Sequence, residues 1–226
     1  MNLKDFLQSE KEKIRAIPTT KEKLVYIWDY YKILIIAVAA ALAFLVYFIV
    51  IKATTLEENW IYVTISNTFA DVGDDSSFKQ EFVDYSGFDT SEKNVVFNAN
   101  SFFDYTGDVT GNTYFEAFVT YTDAGTLDAV TMQTDSLTAL GATGRLLDLN
   151  SESCAEIREK YGDRFLYAVP NDETYSTEPV PVGIDISDSR LVTECHAYSE
   201  TAALGIGANS QHLDAVLTFL DFLFEE

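Results

Sequence analysis

The sequence predicts an α/β fold, with an N-terminal transmembrane helix followed by a single domain built on a largely parallel β-sheet. Residues 33–51, ILIIAVAAALAFLVYFIVI, form a run of 19 residues without a charge. After this run, short strand-like segments alternate with amphipathic helical segments, a pattern typical of a parallel sheet covered by helices. We therefore divide the chain into a basic amphipathic head at 1–32, the membrane helix at 33–51, a stalk at 52–59 and an extracytoplasmic α/β domain at 60–226.

The uncharged run has the length of a membrane-spanning helix. As a helix it would extend about 28 Å, close to the hydrocarbon thickness of a bilayer. Residues that favour the headgroup layer bracket it: Trp28, Tyr30, Tyr31, Lys32 and Lys52. The alternatives are a buried core helix and a cleaved signal peptide, since Ala37–Ala39 has the small-residue pattern of a cleavage site. The long preceding head favours an uncleaved signal anchor.

Charge predicts the orientation. Residues 1–32 hold seven basic and five acidic residues, whereas residues 53–226 hold seven basic and 31 acidic residues, a formal charge of −24. Because the flank after the span has Lys52 and then Glu57 and Glu58, the positive-inside rule places the N-terminus in the cytoplasm and the C-terminal domain outside, in a single-pass protein of the cell membrane. We expect contact with the lipid bilayer through 33–51 and no nucleic-acid binding. The acidic surface either attracts cations and basic partners or simply keeps an exported domain soluble.

The sequence of the head predicts two helices. Residues 1–17 form a weakly amphipathic segment that Pro18 interrupts. Thr19 and Glu22 then have the capping-box spacing that starts a second helix, which we expect to run directly into the span. The head either contacts a partner or the inner leaflet, or serves only to set the topology.

Strand and helix signals then alternate through the domain. Strands are predicted at 60–65, 94–98, 127–132, 165–169, 180–186 and 203–208. Helices are predicted at 77–85, 113–122, 135–140 and 151–160, with a last one near the C-terminus. The expected caps and stops are Ser77 with Gln80, Gly125, Ser151, and Asn209 or Ser210.

One stretch resembles a known family. Residues 121–151, YTDAGTLDAVTMQTDSLTALGATGRLLDLNS, are similar to the first lobe of extracellular solute-binding proteins of bacterial ABC importers. The matching features are Ala124-Gly125, Asp128 with its strand, and Gly144 with Leu147-Asp148-Leu149. Leu166–Pro170 also resembles the strand that crosses between the lobes, and Gly205–Leu223 the return near the end of those proteins.

The resemblance implies a fold similar to one lobe of a periplasmic binding protein, and recognition of a polar small molecule. About 35 residues separate Pro170 from Gly205, which is too few for a second lobe of comparable size. The chain therefore resembles a single lobe. We expect a membrane-anchored binding module for a polar small solute or a membrane partner. The alternative is a structural or interaction protein that keeps the fold without binding a ligand.

Polar residues at the predicted strand ends are the candidate ligand-binding residues, because ligands bind beyond the carboxyl ends of strands in α/β sheets. They are Ser66, Asn67, Asn98, Asn100, Gln133, Thr134 and Asp135. Their hydroxyl, amide and carboxylate groups can hydrogen-bond a polar solute. The alternative is turn and cap chemistry, since the same residue types end strands everywhere.

The sequence contains no catalytic signature, so we predict neither an enzyme nor a cofactor. Its two histidines, His196 and His212, lie outside any nucleophile-elbow pattern. Solvated loops are favoured over calcium sites at the acidic stretches 71–75 and 104–112, and no zinc spacing accompanies Cys195-His196. Cys154 and Cys195 either form a disulfide, which the expected compartment permits, or remain two free thiols.

Overall fold

The computed structural model describes residues 3–54 and 58–225, which form eight α-helices and six β-strands. The chain divides into two compact units, a helical unit within residues 1–55 and a domain within residues 56–226.

The helical unit contains α1 (Leu3–Ala16) and α2 (Thr20–Thr54). Pro18 lies between them, and the backbone N–H of Glu22 donates to Thr19 Oγ1 at 3.3 Å, the cap expected from the sequence. The 35-residue helix α2 runs without a break through the uncharged stretch. Its segment Thr20–Phe48 is long and apolar enough to cross a membrane, and none of its most apolar part is buried. An N-terminal apolar helix compatible with a transmembrane or signal-anchor segment is therefore confirmed.

The domain is built on a six-stranded sheet with the order β2-β1-β3-β6-β5-β4. The strands are β1 (Asn59–Ile65), β2 (Asn94–Asn98), β3 (Ala129–Met132), β4 (Phe165–Ala168), β5 (Val180–Asp185) and β6 (Ala203–Ile206). The helices are α3 (Ser77–Ser86), α4 (Thr113–Asp123), α5 (Thr134–Gly141), α6 (Ala155–Tyr161), α7 (Arg190–Thr193) and α8 (Leu213–Leu223). Single 3-10 turns flank α6 at Glu152–Cys154 and Gly162–Arg164.

The α/β class is confirmed, but the prediction of a largely parallel sheet is wrong because the sheet is mixed. Strand β1 pairs in parallel with β2 and β3, whereas β3–β6, β6–β5 and β5–β4 are antiparallel. The reason lies in the connections. Residues 169–179 join β4 to β5 without a helix, and residues 186–202 join β5 to β6 with only the one-turn α7. A parallel neighbour requires a longer crossover, usually through a full helix.

Helices cover both faces of this sheet. On one face, Phe82 of α3 packs against Phe97 of β2 and against Phe219 and Phe222 of α8, with ring centroids 5.4 Å apart in each pair. On the other face, α4 and α5 bury Phe118, Leu137 and Leu140 against β3. Burying a side chain of this size contributes roughly 1.5–3 kcal/mol, so the two layers fix the sheet between them.

Several helix starts differ from the sequence prediction. The N-cap of α3 is Ser76, whose Oγ accepts from the N–H of Lys79, and not Ser77. Ser151 makes no side-chain cap, because its hydroxyl pairs with that of Ser153 at 3.0 Å and the chain first makes a 3-10 turn. Helix α8 begins only at Leu213.

Asn209 and Ser210 do not cap α8, because both side chains tie the preceding loop to other elements. Ser210 Oγ donates to the buried carboxylate of Asp128 at 2.7 Å, and Asn209 Nδ2 donates to the carbonyl of Thr122 at 3.2 Å. Asp128 also accepts from the N–H of Tyr62 at 2.8 Å. The buried carboxylate therefore holds β1, β3 and the loop before α8 together at the amino edge of the sheet.

Candidate functional site

The strand order places a topological switch point beside β1. From β1 the chain passes through α3 to β2 on one side, and from β2 it passes through α4 to β3 on the other side. Connections that leave in opposite directions open a crevice beyond the carboxyl ends of β1 and β3, which is where ligands bind in open α/β sheets. A cleft of about 720 Å³ lies there. Its lining residues are Asn67, Phe69, Ala70, Gln133, Val192 and residues 195–199.

The loop after β1 forms one wall of the cleft. Asn67 adopts a left-handed backbone conformation with φ 60°, which asparagine tolerates better than most residues. Its backbone N–H donates to the carbonyl of Ser101 at 2.9 Å, and its side-chain amide donates to the carbonyl of Phe103 at 2.6 Å. These bonds to the loop after β2 hold the wall in place, and both use N–H groups of Asn67 and not its side-chain oxygen.

The segment between α7 and β6 forms the opposite wall. The hydroxyl of buried Tyr198 donates to the carbonyl of Ser66 at 2.9 Å and lies 2.9 Å from Thr131 Oγ1. Burial raises the pKa of Tyr198 above its ordinary value, so the phenol stays protonated and remains a donor. This contact joins the wall to the ends of β1 and β3. Neighbouring His196 is exposed.

Backbone strain is concentrated at this cleft. Asn67 and His196, with φ 60° and 53°, are the non-glycine residues with positive φ in the part of the chain that the structure describes, and both line the cleft. A left-handed non-glycine residue costs on the order of 1–3 kcal/mol and persists only where its surroundings enforce it. Such residues cluster at binding and catalytic sites, which makes this cleft the strongest candidate site.

Comparisons with known proteins do not identify the site: no protein-family model, curated protein or solved structure matches this chain.

The structure brings two of the predicted site residues together in the cleft, Asn67 and Gln133. Gln133 is exposed at the start of α5, and its side chain makes no helix cap. Ser66 lies immediately before the cleft but is fully buried, with its N–H donating to the carbonyl of Thr131. The buried Thr134 Oγ1 has no partner among the described residues, and Asp135 is exposed in the first turn of α5 outside the cleft.

Asn98 and Asn100 lie at the end of β2 and do not line the cleft. The N–H of Asn100 donates to Asn98 Oδ1 at 3.1 Å, which is the turn chemistry named as the alternative. The loop at 104–112 follows the same pattern. Asp104 accepts from the N–H of Thr106, and Asp108 from that of Thr110. Asn112 caps α4.

Both cysteines are free thiols in the structure. Cys154 is fully buried at the start of α6, whereas Cys195 is half-buried and lines the cleft. Burial raises the pKa of the Cys195 thiol, and the nearby Arg190 guanidinium acts in the opposite direction. Within residues 3–54 and 58–225, no group of three or more His, Cys, Asp or Glu side chains is placed to hold a metal ion.

Sequence reasoning missed the wall at 192–199 and the exposed ring of Phe69. The wall lies in a connection with little regular structure, and it reaches the cleft only because β6 enters the sheet antiparallel beside β3. The sequence does indicate that Phe69 is exposed. It lies in the polar stretch SNTFAD directly after a strand, where no core position is available for an aromatic ring.

A second cavity, of about 390 Å³, lies at the opposite edge of the sheet, between the end of α5 and the start of β5. Its walls include Leu146, Pro170 and Val182, and Tyr175 at its rim donates to Asp148 Oδ2 at 2.8 Å. This cavity lies at the amino edge, away from the switch point. The cleft between β1 and β3 is therefore the stronger candidate for a solute site.

Proposed function

We propose that this chain is a membrane-anchored extracytoplasmic module that binds a polar small solute in the cleft between β1 and β3, in the manner of one lobe of a solute-binding protein. One observation carries the proposal. The cleft lies at the topological switch point and includes both Asn67 and His196, the two strained residues.

The chemistry of the cleft supports this function. Its volume of about 720 Å³ falls in the range of small-molecule sites, roughly 300–1,000 Å³. Gln133 and Ser199 are exposed and present an amide and a hydroxyl, and His196 adds an imidazole. Phe69, Ala70 and Val192 add apolar side chains beside these polar groups, which can fix the orientation of a solute.

The long apolar helix and the charge distribution support the proposed location. Seven basic residues precede the span and only Lys52 follows it within 20 residues, so the positive-inside rule favours a cytoplasmic head and an outside domain. A tethered single-lobed domain leaves the cleft open on one side, so the bound solute stays partly exposed. This arrangement favours local sensing or presentation of a solute over carrying it through the periplasm.

An interaction protein without a ligand is the second candidate, and a specific surface favours it. The outer strand β4 has an unpaired edge, and exposed Tyr167 and Val169 lie on and after it, close to the apolar cavity at the amino edge. Unpaired strand edges and exposed apolar side chains are common docking surfaces for proteins.

A ligand screen by thermal unfolding of the full chain in nanodiscs separates the two functions. A solute present at about 100 times its dissociation constant stabilises the folded state by about 2.7 kcal/mol and should raise the unfolding midpoint by several degrees. The Gln133→Ala variant should lose most of that rise. Gln211→Ala removes an exposed glutamine at the opposite edge and should keep it.

The absence of any midpoint rise across sugars, amino acids, organic cations and small acids would reject the solute-binding function in favour of the interaction protein. An equal rise in the wild-type chain and in Gln133→Ala would instead place the site elsewhere.

A further inference from the structure

A row of three aromatic rings begins at the cleft, in which Phe69 is exposed, Phe102 is half-buried and Tyr114 is 38% exposed. Phe69 lines the cleft with 94% of its surface exposed. Its ring centroid lies 5.2 Å from that of Phe102, which lies 5.7 Å from that of Tyr114. We call Phe69, Phe102 and Tyr114 the aromatic platform. A phenylalanine held almost entirely in water adds little to the stability of the fold, so its ring is free to contact a ligand.

The loops around the platform are acidic. Residues 66–76 and 99–112 contain five aspartates and no lysine, arginine or histidine. Among the described residues, only Asp74 of these five pairs with a lysine or arginine, at 2.8 Å from Lys79 Nζ. Hydrogen bonds from Thr106 hold the pKa of Asp104 below its ordinary value, so this carboxylate is charged at neutral pH. The platform therefore lies in a negative field.

Elsewhere in the domain, the chain's own cations lie over aromatic rings. Lys93 Nζ lies 5.1 Å from the ring of Trp60, the Arg164 guanidinium 4.3 Å from Phe224, and the Arg190 guanidinium 4.5 Å from Phe222. Within the part of the chain that the structure describes, no lysine or arginine lies over the platform. The exposed ring of Phe69 is therefore open to a cation from outside.

We propose that the solute of the cleft is an organic cation, such as a quaternary ammonium or guanidinium compound, whose charged group rests on the aromatic platform. This inference depends on the proposed solute-binding function and adds the chemical class of the solute. A ring face is negative and attracts a weakly hydrated cation. The aspartates raise the local concentration of cations and repel anions, whereas a neutral solute gains nothing from either effect.

The polar groups of the cleft serve the rest of the molecule. Gln133 and Ser199 can hydrogen-bond a hydroxyl, carbonyl or amide that the cation carries. A lysine or arginine side chain of another protein has the same cationic chemistry. We commit to a free solute because the platform continues into a concave cleft of small-molecule size.

The test is calorimetric titration of the full chain, in nanodiscs whose lipids lack choline, with choline and with its neutral isostere 3,3-dimethylbutan-1-ol. Choline should bind, and the isostere should bind at least about threefold more weakly, because it lacks the cation–ring attraction. Phe69→Leu keeps an apolar side chain at an exposed position and should weaken choline binding by about 3- to 30-fold. Tyr167→Leu removes an exposed ring on β4 and should change nothing.

Further titrations separate failure of this inference from failure of the proposed function. Arginine should bind like choline, whereas glucose should not bind. Equal binding of choline and its isostere, or binding of glucose alone, would show that the solute is not an organic cation. The proposed solute site would still stand if Gln133→Ala weakened that binding. Binding of a lysine-rich peptide without binding of choline or arginine would show that the platform binds a protein side chain and not a free solute. No binding in any of these titrations would reject the inference, and only a thermal screen that also shows no midpoint rise would reject the proposed function with it.

Discussion

Tyr198 is the residue that links the two walls of the cleft. Its hydroxyl donates to the carbonyl of Ser66 and lies 2.9 Å from Thr131 Oγ1, and all three groups lie in the interior. A buried acceptor that loses its donor retains the full cost of its desolvation, about 1–3 kcal/mol. This phenolic hydroxyl therefore ties the segment 195–199 to the ends of β1 and β3.

Tyr198→Phe should lower the free energy of unfolding by about 1–3 kcal/mol, because the ring still fills its space while the carbonyl of Ser66 loses its partner. Urea unfolding of the full chain, followed by fluorescence, measures the difference. Tyr167→Phe is the matched control, since Tyr167 is exposed, and it should stay within about 0.5 kcal/mol of the wild type. Equal stabilities for the two variants would contradict the structural role of this hydroxyl.

At the residue scale, the sequence predicts which residues end the strands but not which of them meet. Asn67 and Gln133 follow β1 and β3, and both lie at the switch point. Asn98 is the last residue of β2, yet β2 is an outer strand of the sheet and its end opens onto a turn. The difference depends on strand order, which no local pattern encodes.

At the element scale, the packing of α5 on the sheet depends on Gly183 of β5. A β-carbon on Gly183 would collide with Leu137 of α5 and would lie 3.2 Å from the carbonyl of Leu204. Both neighbours are fully buried, so neither can move without disturbing the core. Because α5 begins at Thr134, next to the cleft, its docking also positions Gln133.

Gly183→Ala should therefore destabilise the domain by about 1–3 kcal/mol, the usual cost of overpacking a core. Gly107→Ala is the control, since an added β-carbon there meets only the carbonyl of Asp104 at 3.7 Å in an exposed loop. Chemical denaturation of the two variants measures the contrast. A Gly183→Ala chain as stable as Gly107→Ala would mean that α5 is not tightly packed against β5.

Elements with strong local signals were predictable, and sheet direction was not. The bounds of β2 agree with the sequence prediction at both ends, and those of β1 differ by one residue at the start. The antiparallel half of the sheet arises because the last three strands are joined by connections that lack a full crossover helix. Sequence shows that these connections are irregular, but strand order and direction follow from burying the two faces of the whole sheet.

At the scale of the whole molecule, the sequence separates a basic head, one apolar helix and an acidic domain, and the structure has the apolar helix as the continuous α2. The proposed orientation places both cysteines outside the membrane. Cys154 is fully buried, so Cys195 is the thiol that a reagent can reach. Labelling of Cys195 therefore shows on which side of the membrane the domain lies. Because Cys195 lines the cleft, the labelling rate also shows whether the site is occupied.

The pH of such an experiment follows from the environment of this thiol. Burial raises the pKa of Cys195, so less of it is thiolate at neutral pH than for an ordinary exposed cysteine. Since the thiolate is the reactive form, labelling should accelerate as the pH rises from 7 to 9. The measurement is best made near pH 8.5.

The most direct test of the account is the rate at which a membrane-impermeant maleimide labels Cys195 in intact cells, with and without a solute that raises the unfolding midpoint. We expect the maleimide to label Cys195 in intact cells and a saturating solute to slow this labelling. The Cys195→Ala variant should not be labelled. Labelling that appears only after lysis would contradict the orientation, and a rate that the solute leaves unchanged would contradict a binding site in the cleft between β1 and β3.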